Sequence, residues 1–204
     1  MFKAKLRSED TDKFLRSVAS FGLGPNAWTA ISIFLALAGL AALIYHRLAI
    51  GLALFILSGL MDMIDGAVAR ATNSATAMGA FIDGVLDRYV ELLLILGLTI
   101  YIGSTEFLSV PSEAWMILLV FGAMMTSFVR AYADHRGIIK DPAEQKRMGG
   151  LLERAERLIL IYIGMLLGIF NLGWMMSVLA ITAVLANATA VQRIIFALKY
   201  GKGK

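Results

Sequence analysis

MDMIDGAVARATNSATAMGAFIDGVLDR, residues 61–88, is the stretch that decides how the fold is interpreted. It carries four aspartates and two arginines, whereas the sequence on both sides of it is almost wholly apolar. Charged side chains inside membrane-spanning helices are costly, and those that are present usually serve a function. If the flanking segments span a membrane, the stretch predicts a polar site that is held between two membrane-embedded helices.

The composition of the 204-residue chain is that of an integral membrane protein. Hydrophobic residues make up 59% of it and charged residues only 17%. A soluble domain, in contrast, contains about a quarter charged residues. Residues 1–16 are charged and lack the apolar core of a cleavable signal peptide. The sequence has no cysteine, which excludes a disulfide framework and a thiolate metal site.

The apolar runs predict six membrane helices, each with roughly the 20 residues that a bilayer requires. Before them, residues 8–21 have the pattern of a short amphipathic helix that lies on the membrane surface. The predicted fold class is therefore an all-α integral membrane protein, with a single domain over 1–204 and a six-helix bundle over 26–197. The predicted spans are 26–46, 48–72, 75–102, 112–137, 151–170 and 173–197.

Lysine and arginine are distributed unevenly among the loops that connect these spans. When the spans alternate in direction, eighteen of the nineteen basic residues fall on one side, and Arg47 is the exception. Short loops that are rich in basic residues stay in the cytoplasm. We therefore expect a multi-pass protein of the plasma membrane, with both termini and the acidic stretch on the cytoplasmic side.

The four aspartates are spaced so that their carboxylates can converge. If the turn between the second and third spans is at Ser74, Asp65 and Asp83 each lie nine residues from it. Asp62 and Asp87 lie twelve and thirteen residues from it. At a rise of about 1.5 Å per residue, Asp65 lies about as far below the turn as Asp83, and Asp62 about as far as Asp87. Within each helix, the i, i+3 or i, i+4 spacing puts both aspartates on one face. Four ionised carboxylates this close would repel one another unless a cation held them or some were protonated.

Oxygen ligands without histidine or cysteine favour a hard divalent cation, Mg²⁺ first and Mn²⁺ or Ca²⁺ next. Magnesium sites often combine a few carboxylates with the phosphates of a substrate. The carboxylates alone are also compatible with a divalent-cation transporter, or with a scaffold protein that binds a lipid headgroup. A transporter would need polar residues across the bilayer, but residues 49–61 and 92–102 have no charged side chain.

The spacing of the fixed residues in the acidic stretch resembles the signature of the CDP-alcohol phosphotransferases. Members of that family displace CMP from a CDP-linked donor, usually a CDP-lipid, with the hydroxyl of a second alcohol, and the product is commonly a phospholipid. The resemblance implies small-molecule and lipid partners and no nucleic acid. All eight fixed positions match in Asp62-x2-Asp65-Gly66-x2-Ala69-Arg70-x8-Gly79-x3-Asp83-x3-Asp87.

The same resemblance implies the roles of the aspartates. Asp62, Asp65 and Asp83 are expected to be metal ligands. Asp87 is expected both to bind metal and to act as the general base for the acceptor hydroxyl, although the sequence alone does not separate its role from that of Asp83. We expect two Mg²⁺ or Mn²⁺ ions, which would shield the donor diphosphate and stabilise the leaving CMP.

The family resemblance also implies that six further residues bind the CDP donor. Arg70 suits the donor phosphates because a guanidinium can bind them with two parallel hydrogen bonds. Asn26 is also a good N-cap for the first span, and the small residues are equally suited to plain helix packing. The six residues are Asn26, Thr29, Gly66, Ala69, Arg70 and Gly79.

A second basic region bears on the acceptor alcohol. Arg130 lies within an apolar segment, and Arg154 and Arg157 are i, i+3 at the start of the next span. Together they are suited to hold the phosphate of a phosphorylated acceptor. The alternative is that they anchor the cytoplasmic side, with Glu153 and Glu156 as their partners.

This region resembles the inositol-phosphate branch of the family, the phosphatidylinositol-phosphate and archaetidylinositol-phosphate synthases. Its Glu-Arg-x-Glu-Arg stretch matches, but Tyr132 stands where a second basic residue is expected and Asp134 where glutamate is expected. We expect inositol phosphate as the acceptor, while glycerol phosphate or another alcohol, and a CDP-inositol donor, stay open. By the same resemblance we expect a homodimer among membrane lipids.

Overall fold

The computed structural model describes residues 25–71 and 76–202, with side chains at 27–64 and 76–200. Within these ranges the chain is helical apart from its connections and one small hairpin. The amphipathic helix that we expect at 8–21 lies outside the described residues. The elements are α1 Pro25–Ile44, α2 Leu48–Ala71, α3 Ala77–Ile102, β1 Glu106–Phe107, β2 Val110–Pro111, α4 Ser112–His135, α5 Pro142–Arg147, α6 Arg154–Gly168 and α7 Leu172–Lys202.

Each of the six predicted spans overlaps one of the longer helices. The bounds differ by a few residues, most of all at the end of the chain, where α7 continues to Lys202. Helix α1 begins at Pro25, and proline is favoured at the first helical position because the N–H it lacks would have no partner there. Asn26 therefore lies inside the first turn of α1 rather than at its N-cap.

Three helices are long and apolar enough to cross a membrane, judged by length and composition over the described residues. They contain the stretches Ala27–Ile44, Ser112–His135 and Leu172–Tyr200. Helix α2 has a shorter apolar stretch, Leu48–Ile64, and α3 carries the charges of the acidic stretch. Helix α6 has 15 residues, which at about 1.5 Å each fall short of the roughly 30 Å of a hydrocarbon core. Six spans therefore remain a prediction.

The chain divides by its contacts into two compact units, Met1–Gly97 and Leu98–Lys204. In the first unit, glycines allow α1 to approach both α2 and α3. A Cβ on Gly51 would lie 2.8 Å from the Leu43 side chain, and a Cβ on Gly97 would lie 2.7 Å from it. Leu43 of α1 thus occupies space left open by one glycine of each of the two helices that carry the acidic stretch. The single domain over 1–204 stays a prediction.

In the second unit, α4 and α7 pack closely at a small residue. A Cβ on Gly122 would lie 2.7 Å from the Asn187 side-chain nitrogen, 2.9 Å from the Asn187 backbone nitrogen and 2.9 Å from Ala186 Cβ. The Asn187 amide donates hydrogen bonds to the carbonyl of Leu118 at 2.8 Å and to that of Ala183 at 2.9 Å. One amide therefore joins the two helices where a glycine lets them meet.

The hairpin between α3 and α4 was not predicted from the sequence. Its two central residues, Leu108 and Ser109, have φ of 55° and 59°, as a two-residue type I′ turn requires. The Trp115 indole N–H donates to the carbonyl of Phe107 at 3.1 Å and ties the hairpin to α4. The turn lacks the asparagine and glycine that usually signal this conformation.

Helix α5 was also not predicted, because the sequence analysis treats its segment as a break between spans. The side chain of Asp141 accepts a hydrogen bond from the N–H of Ala143 at 2.9 Å and caps this helix. On either side of α5, Ile139 and Met148 are buried, and Phe196 of α7 packs against them. The connection between α4 and α6 is therefore held by a small apolar core.

Candidate active site

Three of the four predicted carboxylates come together in the first unit. Asp62 projects from α2, and Asp83 and Asp87 project from α3, with one ligand oxygen of each within 4.8 Å of the others. Asp62 and Asp87 are half-buried. We call these three residues the acidic cluster. The side chain of Asp65 lies outside those described.

A local hydrogen bond sets where α3 begins. The hydroxyl oxygen of Thr76 accepts a hydrogen bond from the backbone N–H of Gly79 at 3.0 Å, which is the geometry of an N-cap. A Cβ on Gly79 would lie 3.1 Å from that same oxygen, so the small residue also suits the cap. Asp83 and Asp87 are four residues apart in the helix that starts here, which puts their carboxylates on one face.

A pair of serines fixes α2 against α1 one turn before Asp62. The hydroxyl of Ser58 donates to the carbonyl of Ser32 at 2.8 Å, and the hydroxyl of Ser32 donates to the carbonyl of Ser58 at 3.0 Å. Both side chains are buried. Thr29, one of the predicted donor-binding residues, is half-buried and lies three residues before Ser32 on α1. The reciprocal bonds therefore hold the helix of Asp62 in place next to the helix of Thr29.

The donor atoms of the acidic cluster fit a hard divalent cation. All three are carboxylate oxygens, which are the ligands that Mg²⁺ and Mn²⁺ prefer. Two oxygens bound to one Mg²⁺ are at most about 4.2 Å apart, because each lies about 2.1 Å from the ion. The three carboxylate oxygens lie within 4.8 Å of one another, so only a small side-chain adjustment would bring all of them to one ion.

Four of the six predicted donor-binding residues have their backbones in α1 or α2 and their side chains outside those described. Thr29 and Gly79 are the two whose surroundings are described. The other four are Asn26, Gly66, Ala69 and Arg70.

A carboxylate that the sequence analysis missed lies one turn beyond Asp87. Glu91 accepts a hydrogen bond from Arg88 Nη1 at 3.3 Å, and the two side chains form an ion pair. The side chain of Glu91 is 4% exposed and that of Arg88 is 28% exposed. The signal in the sequence was the spacing, since Asp83, Asp87 and Glu91 recur every four residues.

In the second unit, two arginines meet at one carboxylate. Arg130 Nη2 and Arg193 Nη2 each lie 3.7 Å from the same oxygen, Oε1 of Glu153. Arg130 comes from α4, Arg193 from α7, and Glu153 is the residue immediately before α6. The carboxylate therefore links the start of α6 to the two longest helices of this unit.

Arg193 is a buried residue whose contacts the sequence did not reveal. It is 5% exposed, and it donates hydrogen bonds to the carbonyl of Gly149 at 2.6 Å and to the carbonyl of Thr126. Nearby, the hydroxyl of Thr189 accepts a hydrogen bond from the N–H of Leu152 at 3.0 Å. Helix α7 thus holds the segment that leads into α6. The signal was a charge inside the apolar run of α7, comparable to Arg130 in α4.

The two arginines at the start of α6 have different surroundings. Arg154 is the first residue of α6 and is half-buried, while Arg157 is 1% exposed and is among the largest fully buried side chains. The start of the helix is fixed by Glu156, whose carboxylate accepts a hydrogen bond from the N–H of Glu153 at 3.0 Å. Burial of Arg157 does not fit the alternative in which this residue only anchors a solvated surface.

Tyr132 marks the departure from the expected basic motif. It is exposed, and its ring stacks on that of Phe128 with centroids 5.2 Å apart. The guanidinium carbon of Arg136 lies 6.0 Å from the centre of the Tyr132 ring. This face of α4 therefore presents an aromatic stack at the position where the family branch has a second basic side chain.

Comparison with known proteins bears on the whole chain. A profile described as CDP-alcohol phosphatidyltransferase matches residues 23–194. The archaetidylinositol phosphate synthase of Aeropyrum pernix is 33% identical over 196 residues, which cover 94% of this chain and 94% of that protein.

Two solved structures of one enzyme have the same fold. The phosphatidylinositol phosphate synthase of Mycobacterium tuberculosis with CDP-DAG bound has a TM-score of 0.77 and 26% identity, and the match covers 93% of this chain and 94% of that one. The same enzyme in complex with manganese and citrate has a TM-score of 0.71 and 24% identity, over 91% of this chain and 88% of that one.

Proposed function

This chain belongs to the CDP-alcohol phosphatidyltransferase family, and on that premise we propose that it transfers a phosphatidyl-type group from a CDP-lipid to a hydroxyl of inositol phosphate and releases CMP. The family makes it a transferase of the membrane that uses a CDP-lipid donor and an alcohol acceptor. A transporter or a headgroup-binding scaffold is therefore not proposed.

The observation that carries the proposal is the acidic cluster. Asp62, Asp83 and Asp87 occupy three of the four aspartate positions of the family signature, and their ligand oxygens lie within 4.8 Å of one another. We propose that they hold two Mg²⁺ or Mn²⁺ ions together with Asp65. When bound, such ions would neutralise the charge of a diphosphate and stabilise its leaving phosphate. The manganese complex of the mycobacterial enzyme supports this assignment.

The remaining steps are assigned to side chains of this chain. Asp87 is the proposed general base, which removes the proton from the acceptor hydroxyl. The hydroxyl oxygen then forms a bond to the lipid-linked phosphorus of the donor, the bond from that phosphorus to CMP breaks, and CMP leaves. Arg70 is proposed to bind the donor phosphates, and Asn26, Thr29, Gly66, Ala69 and Gly79 are proposed to line the rest of the donor site.

Inositol phosphate is proposed as the acceptor because of the arginines in the second unit. Arg130, Arg154 and Arg157 are the proposed ligands of its phosphate. The burial of Arg157 supports a built site at this residue rather than a solvated surface charge. The name of the Aeropyrum relative supports the same class of product. Because Tyr132 replaces one basic residue, glycerol phosphate and a CDP-inositol donor stay as alternatives, and the acceptor panel below tests the first of them.

The proposed setting is the cytoplasmic face of the plasma membrane, with six spans and both termini in the cytoplasm. The asymmetry of the basic residues supports this orientation. A homodimer is also proposed, from the family resemblance. Both statements are open to direct measurement on the full chain in detergent or in vesicles.

An acceptor panel tests the proposed function. The purified full chain is given one CDP-lipid and, separately, inositol 1-phosphate, glycerol 3-phosphate, serine or free inositol, and CMP release is measured. We expect release that requires inositol 1-phosphate, stops with EDTA and returns with Mg²⁺ or Mn²⁺. CMP release that requires glycerol 3-phosphate would replace inositol phosphate with glycerol phosphate as the proposed acceptor. Full activity in EDTA would remove the metal assignment.

A further inference from the structure

The ion pair beside the acidic cluster has no role in the chemistry described above. Arg88 directly follows Asp87 in the chain, and its Nη1 lies 3.3 Å from Glu91 Oε2. Asp83, Asp87 and Glu91 are spaced i, i+4 and i+8 on α3, so they lie along one side of the helix. Glu91 is about 6 Å further along the helix axis than Asp87. A permanent positive charge and its counterion thus lie within one turn of the cluster.

The charge of Arg88 matters because it is sheltered from water. Glu91 is 4% exposed and Arg88 is 28% exposed, so solvent and salt screen the guanidinium less than they would at an open surface. The guanidinium is charged at every relevant pH. Without a counterion, it would repel a divalent cation at the cluster and attract the carboxylates that should bind that cation.

We infer that Glu91 is a positioning residue that keeps the acidic cluster available to divalent cations by holding and neutralising the guanidinium of Arg88. The inference rests on the proposed function, because it takes the cluster to be a metal site. Glu91 itself acts through Arg88 and does not bind the ion. The inference therefore predicts that the loss of Glu91 can be repaired by the removal of Arg88.

Manganese binding to the purified full chain tests this directly, with free Mn²⁺ measured by electron paramagnetic resonance. Glu91→Gln should raise the Mn²⁺ dissociation constant by about tenfold, because the carboxylate of Glu91 no longer offsets the sheltered charge of Arg88. The double variant Arg88→Met with Glu91→Gln should bind Mn²⁺ within about twofold of the unaltered chain, because it removes both charges together.

Two outcomes would overturn the inference. The first is that Glu91→Gln folds and binds Mn²⁺ as tightly as the unaltered chain, and the second is that the double variant binds as weakly as Glu91→Gln alone. The second outcome would mean that Glu91 acts by its own charge or as a ligand. If Glu91→Gln does not fold, Arg88→Met alone decides: binding that is equal or tighter supports the inference, and weaker binding overturns it.

The controls separate this inference from the proposed function. Glu144→Gln removes the carboxylate of another i, i+3 pair, with Arg147 at 2.7 Å in the second unit, and should leave Mn²⁺ binding unchanged. Asp62→Asn combined with Asp83→Asn should abolish Mn²⁺ binding. If the unaltered chain does not bind Mn²⁺, or if this double variant binds it normally, the proposed metal site fails and the inference fails with it.

Discussion

Asp87 is the residue on which the proposed chemistry depends most directly. It is half-buried in the acidic cluster, and it is proposed both as a metal ligand and as the general base. Asp87→Asn keeps the shape of the side chain and removes its charge. Since general-base catalysis contributes about 10²–10⁴-fold, we expect CMP release at saturating Mg²⁺ to fall by at least about 10²-fold.

Glu106→Gln is the matched control for this substitution. Glu106 is an exposed carboxylate on β1 that is not part of the acidic cluster, and its variant should release CMP at the rate of the unaltered chain. Both variants should elute from size exclusion as the unaltered chain does and keep its helical circular dichroism. Substantial turnover by folded Asp87→Asn would refute the assignment of the base.

Arg157 allows a test of the acceptor phosphate site. Because its side chain is buried, Arg157→Lys is preferable to a truncation, which would leave a cavity. Lysine keeps the charge but loses the bidentate geometry of the guanidinium. Hydrogen bonds between charged groups contribute about 1.5–3 kcal/mol. We therefore expect the KM for inositol 1-phosphate to rise by about tenfold or more, while the KM for the CDP-lipid changes by less than about twofold.

Steady-state kinetics with each substrate varied in turn supply this measurement. Arg147→Lys is the control, because Arg147 is exposed and pairs with Glu144, and it should change neither KM. Equal increases in both KM values for Arg157→Lys would remove the acceptor assignment and leave a structural role for this buried arginine.

Some side-chain groupings could be predicted from the sequence and others could not, for a physical reason. The convergence of Asp62, Asp83 and Asp87 was predictable because carboxylates repeated at helical spacing in an apolar segment have no common structural explanation. Glu91 and Arg193 were not, because one charge in an apolar helix is equally consistent with anchoring at the membrane surface. Only their partners, Arg88 in one case and Gly149 in the other, distinguish the two interpretations.

The longer helices were predictable because each contains an apolar run that is long enough to indicate a helix. Helix α5 has six residues, too few for a hydrophobic period. Its cap, Asp141 followed by Pro142 and Glu144, is nevertheless a recognisable start signal. The hairpin had no such signal, because Leu108 and Ser109 adopt positive φ without glycine or asparagine.

The contact between α4 and α7 depends on Gly122. A Cβ at this position would lie 2.9 Å from the backbone nitrogen of Asn187 and 2.9 Å from Ala186 Cβ, and neither atom can move without moving α7. Overpacking of this kind typically costs about 1–3 kcal/mol. We therefore expect Gly122→Ala to lower the thermal midpoint of the purified protein, measured by loss of helical circular dichroism in detergent.

Gly84→Ala is the matched control for this prediction. A Cβ on Gly84 has nothing within 4 Å, and alanine is favoured over glycine in a helix by about 1 kcal/mol. The control should leave the midpoint unchanged or raise it. If both substitutions leave it unchanged, α4 and α7 are not packed as closely as Gly122 indicates.

The number of membrane spans differs between the sequence prediction and the helices of the structure. Six apolar segments are present, but only three described helices have the length and composition of a span. Helix α3 carries the charges of the proposed active site, which lower its hydropathy. Helix α6 is 15 residues long. In α3, the charges that the proposed function needs are the same charges that make the helix less apolar than a typical span. The number of crossings is therefore best measured by determining which side of the membrane each loop and terminus faces.

The cysteine-free sequence makes that measurement direct, because single introduced cysteines react without background. Six spans with basic loops inside predict that Lys3→Cys and Lys202→Cys react with a membrane-impermeant maleimide only after cells are permeabilised. Glu106→Cys, in the loop between α3 and α4, should react in intact cells. Protection of Glu106→Cys would place that loop inside. Reaction of only one terminus in intact cells would require an odd number of crossings, and either result would contradict the six-span topology.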